Sequence, residues 1–164
     1  MLIYGRQERS LEQAKAGHSR ERKIDVSSIQ IGDIIYMPLD KEDGLTLTDG
    51  YKERLKYIVI IGFTPEGVAV GALLINSNIA LSKSSPELLE CQYPLLHRNY
   101  NHILDYDSWL DCSDIFEIPK LKITDKNGKL KGCLTQDDKQ RVMTFLQETE
   151  AFTKTEKRHF GIIK

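Results

Sequence analysis

The fold is decided between Tyr57 and Ile75, where an apolar run YIVIIGF (57–63) is followed by TPEG (64–67) and then by VAVGALLI (68–75). Proline and glycine in a short polar break between two β-branched runs are hairpin chemistry. Both runs are apolar on both alternating faces, which marks central strands covered on two sides. If the four break residues close the hairpin, Phe63 faces Val68, Tyr57 faces Leu74, Lys56 faces Ile75 and Arg54 faces Ser77. Such strands carry no chemistry of their own, so function is expected at their polar far end. There two cations meet Asn76, Ser77 and Asn78. The end is either an anion or phosphate site, since ammonium, guanidinium, hydroxyl and amide donors suit oxyanions, or a solvated strand end running into a polar turn.

Working outward, IQIGDIIYMPL (29–39) predicts a first strand over Ile31–Met37, ended by Pro38 and the DKEDG that follows. Residues 40–56 are hydrophilic, contain Gly44 and Gly50 and lack an apolar period, so they read as a loop long enough to cover a site. Beyond the hairpin, residues 80–89 are polar and contain Pro86. Alternating aromatics between Cys91 and Cys112 predict a further strand pair. CSDIFEIPKLKI (112–123) reads as two short strands or one bent strand, and KNGKLKG (126–132) as a turn. Thr135 caps a helix reaching Glu148, with Asp138 in the reciprocal capping position and Val142, Phe145, Leu146 and Thr149 at helical spacing.

The expected architecture is therefore mainly β with one carboxy-terminal helix (α+β), six or seven antiparallel strands curled into a small barrel. Three parts are expected: a charged arm at 1–28 with a short helix around Ser10–Ala16, a single domain at 29–152, and a tail at 153–164. The tail reads either as disordered or as a short strand added to an edge.

The 23 Lys and Arg residues against 24 Asp and Glu leave a net charge of −1, which excludes a molecule-wide basic footprint for nucleic acid. Any such contact must be local. The basic excess of the first third lies in residues 6–23, whereas DYDSWLDCSDIFE (105–117) is acidic. No membrane-length apolar stretch and no apolar signal core occur, so the expected location is the cytoplasm. Cys91, Cys112 and Cys133 lack C-x-x-C spacing, which signals neither a disulfide framework nor a zinc site. His97 and His102 lie close together but show no H-E-x-x-H pattern. Neither GxGxxG nor the P-loop signature is present, and no metal or cofactor is expected. A cysteine-dependent enzyme built on Cys112 with His97 or His102 has no nucleophile motif around it.

Four segments resemble the MazF/PemK-like toxins, the mRNA interferases of toxin-antitoxin systems. IQIGDIIYMPLD (29–40) looks like that family's opening Gly-Asp strand, LKYIVIIGF (55–63) like its second strand, and GVAVGALLINSN (67–78) like its third with the polar end. SWLDCSDIFEIPKLKI (108–123) with GCLTQDDKQRVMTFLQ (132–147) resembles the late strands, the G-x-L-[ST] turn and the closing helix. The resemblance spans roughly residues 29–152 and implies an SH3-like barrel.

It further implies an endoribonuclease that cuts single-stranded RNA without a metal, acts as a homodimer and is neutralised by an antitoxin peptide or protein. The family's strand-two arginine falls on Lys56 and its strand-three Thr or Ser on Ser77. Where the family has Arg-Pro this chain has Lys56-Tyr57, and a lysine lacks the planar fork of arginine, so Arg54 is the second candidate cation. Asn76, Asn78 and Lys52 are the implied RNA-binding residues, and the polar pair near DCSD is Ser113-Asp114. The competing expectation is a non-catalytic module of the same fold that binds RNA or protein, with Tyr100, Tyr106 and Trp109 as stacking or interface groups.

Overall fold

The computed structural model describes residues 24–78 and 85–164. The expected helix around Ser10–Ala16 lies outside the described residues. The chain forms β1 (Asp33–Asp40), β2 (Glu53–Phe63), β3 (Ala69–Asn76), α1 (Pro86–Glu90), β4 (Gln92–Leu95), β5 (Ser108–Pro119), α2 (Lys120–Asp125), β6 (Lys129–Cys133), α3 (Gln136–Glu148) and α4 (Lys154–His159). The six strands make one antiparallel sheet in the order β4-β5-β3-β2-β1-β6. Among the described residues β4 and β6 are its two edges and do not pair with each other.

The central hairpin is apolar on both faces, as its sequence requires, and the faces feed separate cores. Val59, Ile61, Leu73 and Ile75 pack with Val142 and Leu146 of α3 and with Phe152, Phe160 and Ile162. Ile58, Ile60, Ala72 and Leu74 pack with Met37, Phe116 and Ile123 of α2, and with Ile29. Ile24 and Val26, within the stretch read as a charged arm, pack against this second core.

The register differs from the expected one. Phe63 pairs with Val70, and Tyr57 with Ile75. Thr64 closes the turn instead: its backbone N–H donates to the Ala69 carbonyl, and its buried hydroxyl both donates to that carbonyl and accepts from the Ala69 N–H at 3.2 Å. Six residues therefore separate Phe63 from Val70 rather than four, a slip of two. An irregularity between Ile60 and Gly62 then takes back one residue, leaving a net slip of one at the polar end. A slip of one exchanges the faces of a strand.

Several other boundaries move for identifiable reasons. β1 continues through Pro38 to Asp40, because β6 pairs with β1 only from Asp33 to Tyr36 and the missing proline N–H needs no partner beyond it. β2 begins at Glu53, so Arg54 and Lys56 lie on a strand rather than on the preceding loop. KLKGC is the edge strand β6 and not part of a turn. The turn is confined to the residues before it, with Asn127 left-handed at φ 55°. After Pro119 the chain turns helical, which takes Ile123 off a strand and into the second core.

The helix expected after Thr135 is present as α3. Thr135 Oγ1 accepts from the Asp138 N–H, yet the Asp138 carboxylate does not reach back to the cap. Tyr100 stands between them: its hydroxyl oxygen accepts from the Thr135 N–H at 3.0 Å and its proton goes to Asp138 Oδ2 at 2.5 Å. Tyr93 donates to Asp138 Oδ1, also at 2.5 Å. One carboxylate thus joins the cap of α3 to the edge strand β4 and to the buried Tyr100.

The charged carboxy-terminal segment is neither a tail nor an added strand. It forms α4, capped by Thr153, and its Lys157 is only 7% exposed. The Lys157 ammonium donates to the carbonyls of Gln147 (2.8 Å) and Thr149 (2.6 Å), satisfying groups left open at the end of α3. Phe160 then presents its carbonyl to the Phe63 N–H at 3.0 Å. The paired Gly62 and Gly71 of the hairpin leave room for it. A Cβ on Gly71 would lie 2.7 Å from the Phe160 ring, and one on Gly62 would overlap the Phe160 carbonyl.

Candidate functional site

The polar end of the hairpin opens into a cleft of about 210 Å³. β2 contributes Arg54, Leu55, Lys56 and Tyr57, and β3 contributes Ile75 and the following Ser77. Tyr36 comes from β1, and Asp105, Tyr106 and Ser108 come from the segment entering β5. Of the residues singled out in the sequence, Arg54, Lys56 and Ser77 line this cleft. Asn76 adjoins it through Lys56. Lys52 and Asn78 are exposed and lie outside it.

The slipped register divides these groups between two faces. Tyr57 pairs with Tyr36 on one side and Ile75 on the other, so these residues and Ser77, two positions further on, belong to the same face. Lys56 pairs with Met37 and points the opposite way, where its Nζ donates to Asn76 Oδ1 at 2.7 Å. The expected facing of Arg54 with Ser77 is replaced by this contact of Lys56 with Asn76.

On the Lys56 side the sheet supplies a polar cluster that the sequence did not reveal. Asp111 faces Leu74 across β3 and β5, and its Oδ1 accepts from Gln92 Nε2 (3.0 Å), the Ser113 N–H (3.0 Å) and the Ser113 hydroxyl (2.5 Å). Lys56 sits between opposing influences. Burial and then the neighbouring Arg54 charge push its pKa below the usual lysine value, and the Asp111 charge pulls it back up. Asp114, named earlier with Ser113, has its carboxyl pKa raised by burial, then by Asp111 and Glu156.

No family model matches the chain, and no curated protein is significantly similar to it in sequence.

On the Ser77 side the surface is aromatic. The Tyr36 and Tyr57 ring centroids are 4.5 Å apart at an interplanar angle of 38°, and the Tyr57 hydroxyl donates to the Ile103 carbonyl at 3.2 Å. Burial raises the Tyr57 pKa, with Tyr36 and Asp105 adding to the shift. Tyr106 and Leu55 are 59% and 54% exposed at the mouth. Of the aromatics expected to stack, Tyr100 is instead core, 1% exposed, and Trp109 is half-buried. The Tyr36 and Tyr57 pair had a signal in the sequence, since each adjoins an aliphatic run, Ile34 and Ile35 in β1 and Ile58 to Ile61 in β2.

The cysteines give the cleft no nucleophile. Cys91 and Cys112 are buried and Cys133 is exposed. Burial pushes the Cys112 thiol up to about 12, helped by Asp111 and Cys91. Among the described residues no cluster of three His, Cys, Asp or Glu side chains has a metal-binding arrangement, and no helix is long and apolar enough to cross a membrane.

Proposed function

We propose that this chain is an endoribonuclease toxin of the MazF/PemK kind, an SH3-like barrel acting without a metal on single-stranded RNA in the cytoplasm, as a homodimer held in check by an antitoxin. The observation that carries the reading is the one cleft shared by Arg54, Lys56 and Ser77. In it the 2′-oxygen of the RNA attacks the adjacent phosphorus as its proton passes to water, and the 5′-oxygen leaves with a proton taken from water, giving a 2′,3′-cyclic phosphate and a 5′-hydroxyl. Arg54, which has no ion pair or hydrogen bond among the described residues, offsets charge on the phosphorane. Ser77 donates to a phosphate oxygen. Lys56 supplies a second cation to neutralise the phosphate. The same mouth, cationic at Arg54 and apolar at Leu55 and Tyr106, suits an antitoxin peptide of acidic and apolar residues.

A second reading, a non-catalytic RNA- or protein-binding module of the same fold, is favoured by the Lys56–Asn76 hydrogen bond, which turns the ammonium away from the Ser77 face. Incubation with end-labelled single-stranded RNA in the presence of a chelator separates the two. The toxin reading expects cyclic-phosphate products, with cleavage and growth inhibition lost in Lys56→Ala and in Ser77→Ala. Unchanged cleavage in both variants removes this site assignment. Bound but intact RNA selects the module, and a protein that neither cuts nor binds RNA overturns the toxin reading.

A further inference from the structure

The cleft described above holds one group that phosphate chemistry does not use. Asp105 lines it, is exposed, and has no hydrogen-bond or ion-pair partner among the described residues. Its carboxylate lies near enough to Tyr57 to contribute to the raised pKa of that phenol. A carboxylate repels a phosphate, so the pocket beside Asp105 is not where the RNA backbone rests. What a carboxylate accepts is N–H.

The walls next to it are flat and apolar. Tyr57 is fixed at both ends, by ring contact with Tyr36 at 4.5 Å and by its hydroxyl bond to the Ile103 carbonyl. Tyr106 stands exposed across the mouth. Rings held in place are a stacking surface for an unpaired base, and a cation outside them serves the phosphate that base carries, here Arg54.

The four bases offer different edges to a carboxylate. Guanine has two adjacent donors, N1–H and the N2 amino group, which match two carboxylate oxygens. Adenine and cytosine each set one amino donor beside a ring-nitrogen acceptor, and uracil sets its single N3–H between two carbonyls. Resting on the RNA reading above, we infer that the cleft receives one unpaired guanine, its ring against Tyr57 and Tyr106 and its N1–H and N2–H edge on Asp105.

The test is fluorescence anisotropy with four labelled oligouridylate nonamers carrying G, A, C or U at the centre and 2′-O-methyl sugars, which prevent cleavage. The guanine oligonucleotide should bind about tenfold more tightly than the others, the discrimination expected of a two-point match to one base. Asp105→Ala removes an exposed and unpartnered side chain, so the fold should stand while the guanine preference disappears. Arg54→Ala and Tyr106→Ala should weaken all four oligonucleotides alike. Equal binding of all four to the unaltered protein, or a guanine preference that survives Asp105→Ala, overturns the inference and leaves the RNA reading standing. Absence of binding to any of the four overturns both.

Discussion

Lys56 donates from its Nζ to the amide oxygen of Asn76 at 2.7 Å, so the cation of the candidate site is anchored to the residue immediately before Ser77 and on the opposite face from it. Burial makes the charged form of this lysine costly, and Arg54 adds to the cost.

That cost sets a pH dependence. The Lys56 pKa in the folded chain lies below its usual 10.5, so between the two values the unfolded chain holds more protons and stability rises with pH. The penalty is fully present below the folded-state pKa and is relieved as pH climbs through it toward 10.5. Lys56→Gln, which keeps a donor for Asn76, should therefore be more stable than the unaltered protein at pH 7, with the gain shrinking as pH approaches 10.5. Urea midpoints of both proteins at the two pH values check this.

The Asp138 link between α3, Tyr93 and Tyr100 should behave in the opposite sense. Burial, and after it the bond to Asp138, pushes the Tyr100 phenol up to about 12, above its usual 10. The folded chain then holds the extra proton, so the contribution is complete below pH 10 and is lost as pH rises through 12. Tyr100→Phe should lose stability at neutral pH and show a shallower alkaline decline. Asp138→Ala, which leaves two phenols and the cap without their acceptor, should cost about 2–4 kcal/mol in denaturant unfolding.

Gly62 and Gly71 should differ in their tolerance of a methyl group. At Gly62 the added carbon meets the Phe160 backbone, whereas at Gly71 it meets the Phe160 ring, which can tilt. Gly62→Ala is expected to cost about 3 kcal/mol or more and Gly71→Ala about 1–2 kcal/mol. Phe160→Ala should relieve the second clash and not the first, which a double-mutant comparison by thermal unfolding will read directly.

Thiol labelling should divide the cysteines. Burial raises the pKa of Cys91 and takes that of Cys112 to about 12, while Cys133 lies exposed on β6. At pH 8 a thiol reagent should modify one cysteine in the folded protein and three after denaturation. Rapid modification of Cys112 in the folded state would contradict its burial.

The hairpin and the capped helix were legible in the sequence because each rests on local rules: period-two apolar runs around a turn, and an N-cap followed by helical spacing. The register was not, because it hinges on the Thr64 hydroxyl joining the Ala69 backbone and on the irregularity at Gly62, neither of which has a period. α4 escaped for a different reason. Its charge is read as solvent exposure, yet Lys157 is buried against two carbonyls supplied by the end of another helix. At the candidate site Arg54, Lys56 and Ser77 were found from their nearness to the strand ends, whereas Asp105 and Asp111 reach it from β5 and its approach. Those contacts depend on strand order, which adjacency in the chain does not encode.

The seat of Phe160 on Gly62 and Gly71 also bears on how fast the chain can fold. The hairpin joins neighbours in sequence and can form early, but the groove over its two glycines is filled by a residue about ninety positions away. Closing so large a loop delays the last contact and gives the chain a high contact order, typical of folding in milliseconds to seconds. Until Phe160 arrives, one face of the most apolar hairpin in the molecule stands open, and in that interval the chain is most exposed to association with its own copies.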